Sequence, residues 1–212
     1  MTANASRRFA LLIAAVAAAA LVLQYVLLIQ LTRDSIGPVL ATVRFFSYFT
    51  ILSNLLVLLV TAHAAVAREG AFAAPRMRGG VAMCVGVTMG IYFLVLSHLW
   101  QPQGAQQWAD TALHYAVPSL YLLWWVLCVP HGTLRWRDLP RWLLFPLAYL
   151  GWVLARGAWV REYPYPFLDL TALDGATVAR NIVGVFAVFV VVGGVLLLAD
   201  RWLPSRRRAL AT

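Results

Sequence analysis

Long apolar runs alternate along the chain with short stretches that carry arginine. Phe9 to Leu31 is apolar except for Gln24 and Gln30, a run of 23 residues. About 20 residues suffice to cross a bilayer as a helix. Further runs cover 45–66, 81–100, 112–128, 142–160 (interrupted by Arg156) and 181–199. The pattern predicts an all-α protein, an integral membrane bundle of six transmembrane helices forming a single domain over 1–212. Six spans nearly exhaust the chain and leave no room for a separate soluble domain. The first run exceeds the roughly 7–15 apolar residues of a signal peptide, so it is expected to be an uncleaved first span.

The second run breaks its own pattern. Within Phe45-Phe46-Ser47-Tyr48-Phe49-Thr50-Ile51-Leu52-Ser53-Asn54 it carries Ser47, Thr50 and Asn54. Spacings of three and four residues place these on one stripe of a helix. A polar stripe in an apolar run needs partners or a purpose.

Composition sharpens the class. The chain is 62% hydrophobic and 12% charged, with mean hydropathy +0.78. Soluble domains average about 25% charged residues. The net charge of +9 comes from arginine alone, since there is no lysine. The arginines sit between apolar runs rather than along a soluble basic stripe, which argues against nucleic acid and for membrane topology. Twelve arginines fall on one side of the six spans and five on the other. The richer side holds Arg7, Arg8, Arg68, Arg76, Arg78, Arg135, Arg137, Arg141 and the tail arginines, and is expected to be cytoplasmic. That puts both termini inside and makes the chain a multi-pass protein of the cell inner membrane. Trp100, Trp108, Trp136, Trp142, Trp159 and Trp202 fall near span ends, as interfacial anchors do. Arg206-Arg207-Arg208 reads equally as a contact with anionic lipid heads or as a solvated tail. Gly86 and Gly90 form a small-xxx-small pair, either a close helix approach or chance. Cys84 and Cys128 match no redox or zinc spacing and read as small core residues.

With this orientation the uncommon polar groups collect in the outer leaflet. Thr50 lies six residues into the second span, roughly 9 Å, and His114 four residues into the fourth, roughly 6 Å. Gln24, Gln30, His98 and Arg156 share that half; the inner half has mainly Thr61 and His63. Polar groups at membrane depth are costly and point to function, with interhelix hydrogen bonding as the rival account. Thr50 is a nucleophile if a neighbouring base takes its proton, or a threonine bonded back to its own helix. His114 is that base, or a structural histidine. Pro118 lacks the N–H that would bond the carbonyl of His114, so a free acceptor and a bend are expected there. Asn54 orients a water or a carbonyl, or bonds between helices. Arg156 holds a carboxylate, pairs with Asp169, or snorkels to the interface. His98 and His114 show no metal spacing, and His131 is assigned no role. No Gly-x-Ser-x-Gly elbow, phosphate loop or His-Glu-x-x-His motif is present.

Phe45 to Asn54, Leu113-His114-Tyr115-Ala116-Val117-Pro118 and Tyr163-Pro164-Tyr165-Pro166-Phe167-Leu168-Asp169 together resemble the bacterial Pr6Pr family of six-span membrane proteins, over nearly the whole chain. That family in turn resembles the eukaryotic androgen-induced and androgen-dependent membrane hydrolases in span order and at two positions. There an intramembrane threonine and histidine hydrolyse fatty acid esters of hydroxy fatty acids. The resemblance implies that Thr50, after Phe49, and His114, followed by Pro118, are the catalytic pair. It implies an esterase without metal or organic cofactor, acting on a lipid-like ester among membrane lipids. Asn54, His98, Arg156 and Ser47 are the expected substrate-binding residues. Asn54 or His98 would steady the oxyanion and Arg156 would hold a substrate carboxylate. The alternative class is a lipid or small-molecule binding protein, or a transporter, without covalent chemistry. A transporter tends to show an internal repeat and spans broken at the midplane; no convincing repeat is evident and the polar groups cluster on one side, which disfavours a transport path but not simple binding.

Overall fold

The computed structural model describes residues 2–66, 69–99 and 101–203. Arg68, Trp100 and Arg206–Arg208, used above for orientation and anchoring, lie outside the described residues.

The first helix, α1 (Ala3–Thr32), opens at Thr2, whose hydroxyl accepts the amide N–H of Ala5 at 3.2 Å. Its inward stripe is small: Ala10, Ala14, Ala17 and Ala20 are buried beside Ile13 and Leu21. Small side chains let a membrane helix lie close to its neighbour, here α3 (Phe49–Val66). Between them runs the short α2 (Gly37–Phe45), which begins at a glycine in the left-handed region (φ +72) followed by Pro38.

The second span therefore starts at Phe49, not at Phe45. Residues 46–48 form a tight connection whose amides bond back to the carbonyls of Thr42, Arg44 and Phe45, with side chains adding further bonds. The Ser47 hydroxyl donates to Val43 O at 2.7 Å and the Tyr149 hydroxyl to Ser47 O at 2.9 Å. The amide of Thr50 donates to the Tyr165 hydroxyl at 3.3 Å. Ser47 thus does not share a helix with Thr50 and Asn54.

The third span is α4 (Pro75–Ile91) continued by a π-helical turn, Tyr92–Leu96. The fourth is one rod built of α5 (Ala105–Thr111), a second π turn at Ala112–Ala116 and α6 (Val117–Cys128). The fifth is α7 (Asp138–Val160), with Pro146 inside it. The sixth is α8 (Gly175–Trp202), opened by Asp174, whose carboxylate accepts the N–H and hydroxyl of Thr177. No strand occurs among the described residues. Six rods, 3–32, 49–66, 75–96, 105–128, 138–160 and 175–202, are long and apolar enough to cross a membrane. Five of the six begin before their apolar runs, and the second begins after the start of its own. Large apolar side chains such as Leu11, Val22, Leu144, Val183 and Val191 cover the outside. This is the architecture of a multi-pass membrane protein, whose outer surface meets hydrocarbon rather than water.

Glycines seat α8. A Cβ on Gly193 would come within 2.4 Å of Leu139 and 3.0 Å of the Met83 sulfur, and one on Gly86 within 3.2 Å of Val192. Gly90 faces open space, so only one member of the small-residue pair makes a close approach. Trp108, Trp136, Trp159 and Trp202 are exposed. Trp142 instead is buried, donates to Arg76 O at 2.8 Å, and packs on Gly79 and Gly80. At the same end of the bundle His131 lies buried against Asp200, which also accepts the amides of Gly132 and Leu134. Cys84 and Cys128 are buried.

Candidate active site

Thr50 is the second residue of α3, where amide N–H groups lack intrahelical partners and the helix end carries partial positive charge. His114 is central in the second π turn. These two elements bring the Thr50 hydroxyl to 3.2 Å from His114 Nε2, a nucleophile-to-base distance.

The other face of the ring fixes which nitrogen acts. His114 Nδ1 lies 3.0 Å from the backbone carbonyl of Asp110 and 3.2 Å from its carboxylate. Both partners are acceptors, so Nδ1 must carry the proton. Nε2 is then left with its lone pair toward Thr50. Tyr92, at the head of the first π turn, stacks on the imidazole with ring centroids 3.8 Å apart and planes 16° apart. Its hydroxyl donates to the second carboxylate oxygen of Asp110. The His114 and Asp110 side chains are 14% and 10% exposed, so the pair is shielded without being sealed. Single π turns recur at functional sites because they redirect one side chain without ending the helix.

The π register also answers what Pro118 leaves unpaired. In an α-helix the orphaned acceptor would be His114 O, as the sequence suggested. Here Val117 donates to Ala112 O, one residue further back. In that register the acceptor facing Pro118 is Leu113 O. Asn54 supplies the missing donor: its Nδ2 reaches Leu113 O at 3.0 Å and Thr50 O at 2.8 Å. The amide therefore braces the carbonyl of the threonine against the carbonyl preceding the histidine. Two carbonyl partners fix which end of the amide is the nitrogen. Its Oδ1 is buried with no partner among the described residues.

Beneath the pair lies a cavity of about 70 Å³. Apart from Thr50, Thr88, His114 and two tyrosine hydroxyls its wall is apolar. Val87, Ile91, Leu150, Ile182, Val185, Phe186 and Phe189 contribute to it, with Phe167 and Leu168 of the loop after α7. Tyr165 belongs to the wall too. Its hydroxyl accepts the Thr50 amide at 3.3 Å and lies 3.5 Å from the Thr50 hydroxyl. Having accepted a proton from the backbone, it keeps its own to donate. Burial holds this phenol above its ordinary pKa, against the opposing hydrogen bonds from Thr50, so it stays protonated at neutral pH.

The remaining expected residues stand elsewhere. Ser47 is buried, spends its proton on Val43 O, and receives the Trp152 indole N–H at 3.4 Å. His98 is exposed in the turn after the first π segment and does not line the cavity. Arg156 does not line the cavity and is not paired with Asp169. It binds Glu162 at 3.1 Å, and Glu162 also binds Arg44 at 2.6 Å. Among the described residues no three His, Cys, Asp or Glu side chains are grouped to hold a metal ion.

Asp110 and Tyr165 went unassigned from sequence. Asp110 is four residues before His114, a spacing that puts carboxylate and imidazole on one helix face. Tyr165 stood within a quoted motif, but nothing in sequence ties it to Thr50, 115 positions away. Compared with known proteins, the chain matches no family model, no curated protein and no solved structure.

Proposed function

We propose that this protein is an intramembrane threonine esterase that hydrolyses lipid esters. The observation that carries the reading is the 3.2 Å contact between the Thr50 hydroxyl and His114 Nε2 at the wall of an apolar cavity. His114 takes the hydroxyl proton as the Thr50 oxygen attacks the ester carbonyl. The carbonyl electron pair moves onto oxygen, where the Tyr165 hydroxyl and the amino end of α3 meet the new charge. Collapse expels the alcohol, which leaves with the proton held by His114. Water then gives a proton to His114 and attacks the acyl carbon. The bond to Thr50 breaks, the threonine recovers its proton, and the fatty acid departs.

The apolar wall favours an acyl chain. A fatty acid ester of a hydroxy fatty acid fits the family resemblance, with Arg156 held by Glu162 away from the cavity wall. The arginine bias supports a reading with both termini in the cytoplasm and the site in the outer leaflet of the inner membrane. A lipophilic fluorophosphonate should label the purified protein in detergent, and Thr50→Ala should abolish labelling. Labelling of Thr50→Ala equal to that of the parent removes Thr50 as nucleophile. A non-covalent lipid-binding protein would use the same apolar cavity. It predicts no ester turnover, whereas the hydrolase predicts turnover that His114→Ala abolishes.

A further inference from the structure

We propose that Asp110 is the positioning residue of this site, so that Thr50, His114 and Asp110 act as a relay and Tyr92 holds the third member in place. The inference rests on the hydrolase reading and deepens it. The carboxylate has one oxygen 3.2 Å from His114 Nδ1 and receives the Tyr92 hydroxyl on the other. It is therefore fixed at both ends and cannot swing away from the ring. A base that receives a proton from threonine becomes an imidazolium. That charge is costly at membrane depth unless an anion or a π face meets it. Asp110 supplies the anion and Tyr92 the face, on which the ring already lies at 3.8 Å.

The surroundings keep the pair in service. Asp110 and Tyr92 also line a second, polar pocket of about 400 Å³, with Ser97, Gln103 and Tyr115 among its walls. His114 thus stands between an apolar cavity on the Thr50 side and a polar pocket on the Asp110 side. The carboxylate borders the polar pocket, while the Thr50 hydroxyl borders the apolar cavity. The titratable groups around the ring are Asp110 on its own rod, Tyr92 of the third span, Tyr115 edge-on to Tyr92, and Tyr165 beyond Thr50. The first helix brings Tyr25, which is bonded to Thr42 at 2.9 Å and so turned to α2.

The test separates this role from simple structure. Asp110→Asn in detergent should lower kcat and the rate of fluorophosphonate labelling by about 100-fold or more, toward the roughly 10⁴-fold lost when the acid of a Ser-His-Asp triad is made neutral. KM and the thermal midpoint should stay near the parent's, and Asp110→Glu should recover part of the rate. Tyr92→Phe keeps the stacked ring and frees the carboxylate; it should cost a smaller, about three- to tenfold, factor in kcat, and it covers the case in which Asp110→Asn does not fold. Nitrogen NMR of the parent should show a neutral His114 ring protonated at Nδ1, a readout independent of turnover. Asp110→Asn labelling within threefold of a parent that labels at Thr50 overturns the role of Asp110 and leaves the hydrolase standing. A ring protonated at Nε2 overturns it likewise. A parent that never labels overturns both.

Discussion

A phenol that accepts from a backbone amide has its own proton to spend, and Tyr165 spends it beside the Thr50 hydroxyl. In the hydrolase reading this is the donor that a developing oxyanion meets. Tyr165→Phe keeps the ring stacked on Phe167 and removes that donor together with the acceptor of the Thr50 amide. It should lower kcat by about 100- to 1000-fold with KM little changed, measured on a long-chain ester in detergent. An unchanged kcat sinks the assignment. Single residues also show what sequence could reveal. Thr50 and His114 were found because polar groups in apolar runs are few, and Pro118 marked the irregularity beside the histidine. The brace made by Asn54 was beyond reach. It depends on a π register that moves the orphaned carbonyl from His114 to Leu113, and helix periodicity carries no sign of that register.

Among the elements, the loop between α7 and α8 decides where Tyr165 sits, and one glycine decides where the loop sits. Tyr163 lies so close to Gly157 that an added Cβ would fall 2.1 Å from its ring. The ring is a rigid body, not the end of a flexible chain, so the loop itself must give way. Gly157→Ala should therefore destabilise the fold by about 1–3 kcal/mol, read as a lowered thermal midpoint. It should also weaken turnover because Tyr165 follows two residues later. A variant with unchanged midpoint and unchanged turnover shows the loop to be held by something else. The existence of all six long helices was legible from apolar runs. The break at residues 46–48 was not, because it contains no proline or glycine and is held by Tyr149 and Tyr165 from distant parts of the chain.

For the whole molecule, the arginine bias and the placement of the site make one joint statement. If the twelve-arginine side is cytoplasmic, Asp110, Glu162 and Tyr165 all face the periplasm. A green fluorescent protein fused after Thr212 should then fluoresce, and alkaline phosphatase fused after Thr171 should be active. The reverse result places the site at the inner leaflet. Two of the six rods share one irregularity, and they meet through it. Each π turn accommodates about one residue more than the α-helical lattice has room for, and each residue of a helix advances the azimuth by about 100°. Tyr92 and His114 lie flat on one another where the two turns meet. Strike out a single residue from the second turn and its rod closes into ordinary helix, yet all that follows the cut swings about a quarter of a circle against all that precedes it. The pairing is held by a count of residues as much as by their kind.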